Sequence, residues 1–462
     1  MENGKTVAVI GGGVAGYVAA IRASQLGGHV TLVERGALGG TCLNRGCIPT
    51  KSLLHSADVL CQAKRAGVFG VTVRNARLDF RAVSARKQEV VDRLVGGVEV
   101  LMRKNRIAVV SGSGCVVGPG KVMVSGDVTK EIDADKIIIA TGSEPIVPPI
   151  AGVENKAVIN SDEALTLERL PGGIIVVGAG VVGLEFAQIF SKMGVEVTIV
   201  EMMPQILPGE DPELAQILED VLQTEGIKVF KGTQVQSIGT EEDGGVAVTL
   251  ATGMERQELR AERVLMAVGR RPVLGGVGLE NLDIASNKGR IIVNDRMETN
   301  VPGIYAIGDV VGGAMLAHVA IAEGKCAAQN AMGIESRMQY QAVPRCIYTS
   351  PEVAAVGLTE DEARAKYGNV RVGRFPFRAN GKAVVLGEET GVVKVIAEER
   401  YGQVVGVGIV GPHATDMIAE AVLGIQLEAT VDDFASVIHA HPTLSEAVGE
   451  AALSAEGKPI HI

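Results

Sequence analysis

The sequence predicts an α/β chain in which one unit of strand, glycine turn, helix and strand occurs twice and is followed by an α+β ending. Three observations carry this expectation. The apolar run Val7 to Ile10 ends in Gly11-Gly12-Gly13-Val14-Ala15-Gly16, a helical pattern continues through Ala20, and a second apolar run, Val30 to Val33, ends in Glu34. Adding 167 to each position carries Gly11, Gly13, Gly16, Ala20, Gly27, Val30, Thr31 and Glu34 onto Gly178, Gly180, Gly183, Ala187, Gly194, Val197, Thr198 and Glu201. Eight matches at one constant offset indicate an internal repeat. Each unit also closes on a buried strand that runs into a glycine turn, Lys136 to Gly142 and Arg263 to Gly269, with Pro145 and Pro272 just beyond.

In such a glycine turn the first Gly permits the tight bend, the second lets the backbone approach a pyrophosphate, and the third allows close helix packing. The diphosphate then meets a helix N-terminus. Glu34 and Glu201, about twenty residues beyond their glycines, are placed to accept ribose hydroxyls; the alternative is a pair of solvated strand ends. The reading is therefore two Rossmann-like dinucleotide-binding domains. A carboxylate at Glu201 repels an added ribose phosphate, and Met202-Met203-Pro204 offers no basic residue to hold one, so NAD is favoured over NADP.

Between these landmarks the first unit is expected to hold helices over Pro49 to Arg65 and Arg81 to Lys104, and Gly112 to Pro119 reads as a turn before another strand. Pro148, Pro149 and Gly152 suggest a hinge. After Pro272 come a glycine-rich loop, strands at Ile291 to Val293 and within Gly303 to Asp309, and a helix from about Met315 to Met332. From Pro344 onward strands are expected at Val353 to Val356, Val384 to Leu386 and Gly391 to Ile396. Helices are expected at His413 to Gln426, Val431 to Ile438 and Thr443 to Leu453. The expected divisions are 1–147, 148–273, a central segment 274–342 returning to the first unit, and 343–462.

Composition fits this architecture. A chain of 462 residues holds roughly three domains, and 47% hydrophobic residues with only 3% aromatics and 59 glycines suit an α/β protein with many tight turns. The net charge of −10, without a basic run, argues against nucleic acid as a partner. The longest apolar stretch, Ile174 to Phe190, is broken by Gly178, Gly180, Gly183 and Glu185, so no membrane insertion is expected. A first strand beginning by Thr6 leaves no room for a targeting peptide, and six cysteines without framework spacing suit a reducing compartment. Cytoplasmic is the expected location, although a mature organellar chain would read the same.

The densest chemistry lies in Gly39 to His55. Cys42 and Cys47 are five positions apart, which on an undistorted helix separates their Cα atoms by about 8.6 Å, beyond the roughly 4.4–6.8 Å that a disulfide tolerates. A bridge needs a bent turn. Gly46 supplies backbone freedom and Pro49 suits the first turn of a following helix, which places Cys47 near a helix N-terminus, where thiolate is favoured. Two unrelated thiols in a glycine-rich loop are the alternative. Cys61, Cys115, Cys326 and Cys346 have no paired spacing and read as core thiols.

Taken with the two glycine motifs, Cys-Leu-Asn-Arg-Gly-Cys-Ile-Pro-Thr-Lys at 42–51 resembles the redox-active disulfide segment of the flavin-dependent pyridine nucleotide-disulfide oxidoreductases, and within that family it is most similar to the dihydrolipoamide dehydrogenases. The resemblance extends over essentially the whole chain. It implies FAD on Gly11, Gly13, Gly16 and Glu34, with further contacts at Lys51, the turn near Gly114, Thr141, Asp309 and Ala317. For NAD it implies Gly178, Gly180, Gly183, Glu201, Val235 and Gly269. It pairs Lys51 with Glu185 near the flavin ring, whereas read alone each is a surface charge. It places Asp309 on the ribityl chain, the alternative being a loop Asp that forms a turn.

The resemblance also names His441 as the catalytic base and Glu446 as its orienting partner. Read alone, Thr443-x-x-Glu446 is a capping box that opens the last helix. An imidazole is suited to accept a thiol proton around neutrality, and the His441-Pro442 bond, if cis, would help aim the ring. Residues 343–462 are implied to be a C-terminal α+β dimerisation domain, His441 of one copy serving the cysteine pair of the other in a homodimer. Implied partners are lipoyl domains and core subunits of 2-oxoacid dehydrogenase or glycine-cleavage complexes. One departure is Val319, where many dihydrolipoamide dehydrogenases carry Lys. A glutathione- or mercuric-reductase-like enzyme, or a subunit serving mainly in assembly, are the alternatives.

Overall fold

The computed structural model describes residues 4–126, 129–242 and 244–462. Two five-stranded parallel sheets of matching layout dominate it. The first runs in the order Ile304–Ala306, Lys136–Ile139, Thr6–Ile10, His29–Glu34, Ala108–Ser111. The second runs Val158–Asn160, Arg263–Met266, Gly173–Val177, Glu196–Val200, Lys228–Phe230. In both, the strand before the glycine turn is central, and beside it lies the strand that ends in Glu34 or just before Glu201. Parallel sheets are covered on both faces, which is why their strands read as continuous apolar runs rather than alternating ones. Ile137, Ile138 and Ile139 are all buried, each contributing roughly 2 kcal/mol by apolar transfer.

Each sheet carries a three-stranded antiparallel companion, Ser113–Gly118, Lys121–Ser125 and Lys130–Asp133 in one, and Gln234–Thr240, Val246–Thr252 and Glu255–Ala261 in the other. The stretch expected as a turn over Gly112 to Pro119 is therefore a strand. Its glycine, Gly114, packs so tightly that a Cβ there would lie 3.0 Å from Ile10 and 3.3 Å from Val33. Gly114 thus serves close sheet-on-sheet approach, which a scan for turn formers misreads.

The central segment returns to the first sheet through Ile304–Ala306 and through the helix Ala317–Ala331, which packs on Val14–Gln25. Small residues make that contact close; a Cβ on Gly324 would meet the carbonyl oxygen of Ala15 at 2.7 Å.

The C-terminal part is a five-stranded antiparallel sheet, in the order Arg345–Ile347, Glu352–Gly357, Val404–Gly411, Val392–Glu398, Val370–Pro376. Helices Ala414–Gln426 and Glu446–Ala455 cover it. Val384 to Leu386, expected as a strand, belongs instead to the short helix Gly381–Leu386, whose N-cap Asn380 accepts the Ala383 N–H. Its valines are largely exposed, so this apolar run marks no core strand. Helix Glu360–Tyr367 and strands Val370–Pro376 and Val404–Gly411 were not anticipated.

The second unit and the C-terminal part meet at a buried cation. Lys394 Nζ, 4% exposed, lies 2.9 Å from carboxylate oxygens of Asp211, Glu213 and Glu360. Asp211 caps the helix Pro212–Thr224 of the second unit, so the C-terminal sheet is bolted to that unit by charges that satisfy one another, the condition under which a buried ion is tolerated.

Candidate active site

The two glycine turns are superposable in their chemistry. Gly11 and Gly178 have φ of +107° and +103°, a region that L side chains rarely occupy. A Cβ on Gly16 would lie 1.8 Å from the Gly11 carbonyl oxygen, and one on Gly183 would lie 1.9 Å from that of Gly178. Gly13 and Gly180 differ from these. Each is the N-cap of a twelve-residue helix without a side-chain cap bond, and a Cβ there meets only the Gly40 Cα at 3.8 Å, or nothing within 4 Å. An open approach to uncapped helix amides fits a dinucleotide diphosphate in both turns.

Glu34 and Glu201 are held alike. Glu34 accepts the N–H groups of Gly12 at 2.5 Å and Gly36 at 2.7 Å, and Glu201 those of Ala179 at 2.6 Å and Met203 at 2.8 Å. Both acids bind backbone at positions related by the repeat offset, so each is fixed beside its turn rather than solvated at a strand end.

The cysteine segment leans on the first turn. Gly39 bridges Gly13, and a Cβ on Gly40 would come within 2.6 Å of the Gly13 Cα. A short helix, Gly40–Arg45, breaks at Gly46 (φ −146°, ψ −113°), and a long helix, Cys47–Arg65, begins at once. The break supplies the bend that an unbroken helix lacks, and both cysteines stand as free thiols within hydrogen-bonding reach of each other. Cys42 donates to Cys47 and so lowers the Cys47 thiol to about 7; burial opposes this and the Lys51 ammonium reinforces it. That hydrogen bond, together with burial and the neighbouring Cys47, raises Cys42. The two thiols are thereby differentiated.

Lys51, one turn beyond Cys47, bonds both Glu185 oxygens at 2.9 and 2.8 Å. Glu185 is buried in the helix that opens at the second glycine turn. Tyr348 donates its N–H to Glu185 at 3.2 Å and sets its ring 4.5 Å beneath the Lys51 ammonium. No spacing in the sequence signals Tyr348.

Asp309 sits in the short turn Gly308–Val311 and accepts the Ser143 hydroxyl at 2.5 Å. The preceding Gly308 N–H is taken by buried Glu323 at 2.7 Å. Thr141 donates its hydroxyl to the Val273 carbonyl at 2.7 Å, and Ala317 is the first residue of its helix. Val235 lies in the strand Gln234–Thr240, and Gly269 adopts φ +117° just before Arg270–Pro272. Ser143 and Arg270, which join these parts, were also missed by sequence reasoning.

His441 has different surroundings, at an exposed turn of the C-terminal part. Its Nδ1 is 2.9 Å from Glu446 Oε1, and Glu446 Oε2 accepts the Thr443 N–H at 2.8 Å. The expected capping box is only half formed. Thr443 Oγ1 is buried without a partner among the described residues and the helix starts at Glu446 behind Ser445. Glu446 therefore holds the imidazole as well as the turn. Burial pushes its pKa up, but the Thr443 and His441 bonds outweigh that and leave it lowered. The His441-Pro442 bond is cis. The cavity around His441, about 260 Å³, is lined only by residues from Phe375 to His461, and its imidazole is 80% exposed. Within one chain the imidazole is exposed, and neither cysteine lines its cavity.

Among the described residues no group of His, Cys, Asp and Glu is arranged to hold a metal, and no helix is long and apolar enough to cross a membrane.

Comparison with known proteins gives concordant results. A family profile described as pyridine nucleotide-disulphide oxidoreductase matches residues 5–324, and one for the dimerisation domain of such proteins matches 343–452. A dihydrolipoyl dehydrogenase of Bacillus subtilis is 46% identical over 98% of both chains. Among solved structures, LpdA of Mycobacterium tuberculosis superposes with a TM-score of 0.90 at 29% identity, covering 97% of this chain and 99% of its own. A HOCl-induced flavoprotein disulfide reductase of Escherichia coli gives 0.88 at 29%, with the same coverage.

Proposed function

Because this chain belongs to the pyridine nucleotide-disulphide oxidoreductase family, we propose that it oxidises protein-bound dihydrolipoamide to lipoamide and passes the electrons to NAD. On this reading 1–147 with 274–342 form the FAD unit, 148–273 the NAD unit and 343–462 the dimerisation unit. The observation that carries the proposal is the pair of cysteines brought together by the break at Gly46, Cys47 opening a helix whose Lys51 is held by Glu185.

The residues divide the work as follows. With Cys42 and Cys47 joined as a disulfide, His441 accepts a proton from one substrate thiol, and Glu446 holds the resulting imidazolium. The substrate thiolate attacks Cys42 Sγ, the bond between the cysteines breaks, and Cys47 leaves as the thiolate that its surroundings favour. The second substrate thiol then displaces Cys42, releasing the cyclic disulfide. A bound FAD would supply the two-electron carrier chemistry that links the cysteine dithiol to NAD. Gly11, Gly13, Gly16, Glu34, Lys51, Thr141, Asp309 and Ala317 would hold FAD, and Gly178, Gly180, Gly183, Glu201, Val235 and Gly269 would hold NAD. Glu185 keeps Lys51 against the thiols.

The exposed His441 supports a homodimer in which each base serves the cysteines of the other copy. Lipoyl domains, presented by core subunits of 2-oxoacid dehydrogenase or glycine-cleavage complexes in the cytoplasm, are the proposed partners. The test compares turnover of dihydrolipoamide with NAD against glutathione disulfide with NADPH. Preference for the first pair is expected, and preference for the second would replace the substrate assignment with a glutathione-reductase type.

A further inference from the structure

We propose that Arg270 is a positioning residue for the flavin-side carboxylate Asp309, acting across the boundary between the two dinucleotide units through the hydroxyl of Ser143. Arg270 follows the glycine turn that ends the second unit, and Ser143 follows the one that ends the first; the segments pair antiparallel, Arg270 to Pro145 and Pro272 to Ser143. The guanidinium grips Ser143 twice, Nε donating to Oγ at 2.8 Å and Nη2 to the carbonyl oxygen at 2.8 Å. Ser143 is buried, and its hydroxyl lies 2.5 Å from Asp309 Oδ2.

The direction of each bond follows from the donor inventory. A guanidinium only donates, so Ser143 Oγ accepts from Arg270. The single hydroxyl hydrogen is then committed to Asp309 Oδ2, since an ionised carboxylate only accepts. One rotor is locked by a planar fork and in turn fixes a carboxylate 166 positions away in sequence. Glu323 fixes the backbone of the same turn through Gly308 N–H, so Asp309 is braced at main chain and side chain alike. The second Asp309 oxygen would then be available as an acceptor for FAD, and the positive charge one hydroxyl behind the carboxylate would offset its repulsion of an anionic reduced ring.

The inference rests on the assignment of Asp309 to FAD, and the experiment separates the two. The rate at which flavin fluorescence appears on dilution of the FAD-loaded protein is measured for Asp309→Asn, Ser143→Ala, Ser143→Thr, Arg270→Ala, Arg270→Lys and the double variant Ser143→Ala/Arg270→Ala. Loss of a hydrogen bond to a charged group predicts about tenfold faster release for Ser143→Ala and for Arg270→Ala. The double variant should be no worse than either alone, because the residues act in series. Ser143→Thr, which keeps the hydroxyl, should restore retention, and Arg270→Lys, which lacks the planar fork, should not. The flavin midpoint potential should fall in Arg270→Ala. Additive effects of the two single variants, or unchanged release and potential while Asp309→Asn weakens FAD, would overturn the relay. An unchanged Asp309→Asn would instead remove the flavin assignment beneath it.

Discussion

Lys51 Nζ lies 2.9 and 2.8 Å from the two carboxylate oxygens of Glu185, although one residue follows Cys47 and the other follows the second glycine turn, 134 positions on. This pair ties the cysteine-bearing helix to the second dinucleotide unit and keeps a cation beside the thiols. Lys51→Met would leave Glu185 buried with only the Tyr348 N–H. The expected loss is about 2 kcal/mol, below the roughly 3–5 for a fully buried pair because Lys51 is 31% exposed. Thermal melting of Lys51→Met and Lys51→Met/Glu185→Gln checks this, with the double variant recovering most of the loss. Equal melting of Lys51→Met and wild type would show that the pair is idle.

The thiol pair predicts a titration. In the dithiol form, Cys47 should ionise with a midpoint of about 7, so the ultraviolet absorbance of thiolate rises as pH passes upward through neutrality. Cys47→Ser should abolish that step. Cys42→Ala, which removes the hydrogen bond, should move it to higher pH, and Lys51→Met should move it upward too, since both neighbours lower the Cys47 value. A neutral-range step that survives in Cys47→Ser would place the ionisation on another group.

The proposed role of Glu201 is to set the nucleotide preference. Its oxygens are fixed by Ala179 and Met203 amides, so the carboxylate cannot swing away from an added phosphate. Glu201→Gln removes the charge and should cut the preference for NAD over NADP by about tenfold or more, the value of a charge-assisted bond to ribose. Steady-state kcat/KM with each nucleotide reads this directly; an unchanged ratio would mean that specificity lies elsewhere.

His441→Ala should slow dihydrolipoamide oxidation by about 10²–10⁴-fold, the usual contribution of a general base. Glu446→Gln, which keeps an acceptor for Nδ1 but loses the charge, should cost about tenfold. NADH-driven reduction of ferricyanide bypasses the thiols and should be unchanged in both. The lowered Glu446 carboxylate stays ionised down to below its ordinary range; its stabilising contribution is lost only as pH falls through that depressed value. The neutral-range pH profile therefore should not contain a Glu446 limb.

The readable parts of this fold are those in which a residue type answers a local geometric demand. Gly11 and Gly178 are needed for positive φ, Gly16 and Gly183 for helix contact, and their repetition made both units visible without any structure. Gly46 announced the bend between the cysteines for the same reason. Gly114 has equal need of a missing Cβ, but the need arises from Ile10 and Val33, which are remote in sequence, so it read as a turn. Val384 to Leu386 is too short for periodicity to separate helix from strand, and the deciding signal was the Asn380 cap. Helix Glu360–Tyr367 opens on a capping box, Thr359 with Glu362, a local signal that stands in the sequence ahead of a short, mostly polar helix. Ser143, Arg270 and Tyr348 are ordinary residues made important by what folding brings beside them.

The most direct test of the account asks whether a site split between two copies carries the chemistry. Cys47→Ser chains and His441→Ala chains, each inactive toward dihydrolipoamide, are unfolded together or exchanged until mixed dimers form. About a quarter of wild-type activity should return, because half the dimers of a twofold assembly are mixed and each of those holds one intact site. Mixed dimers verified by mass, loaded with FAD and still inactive, would contradict the shared site.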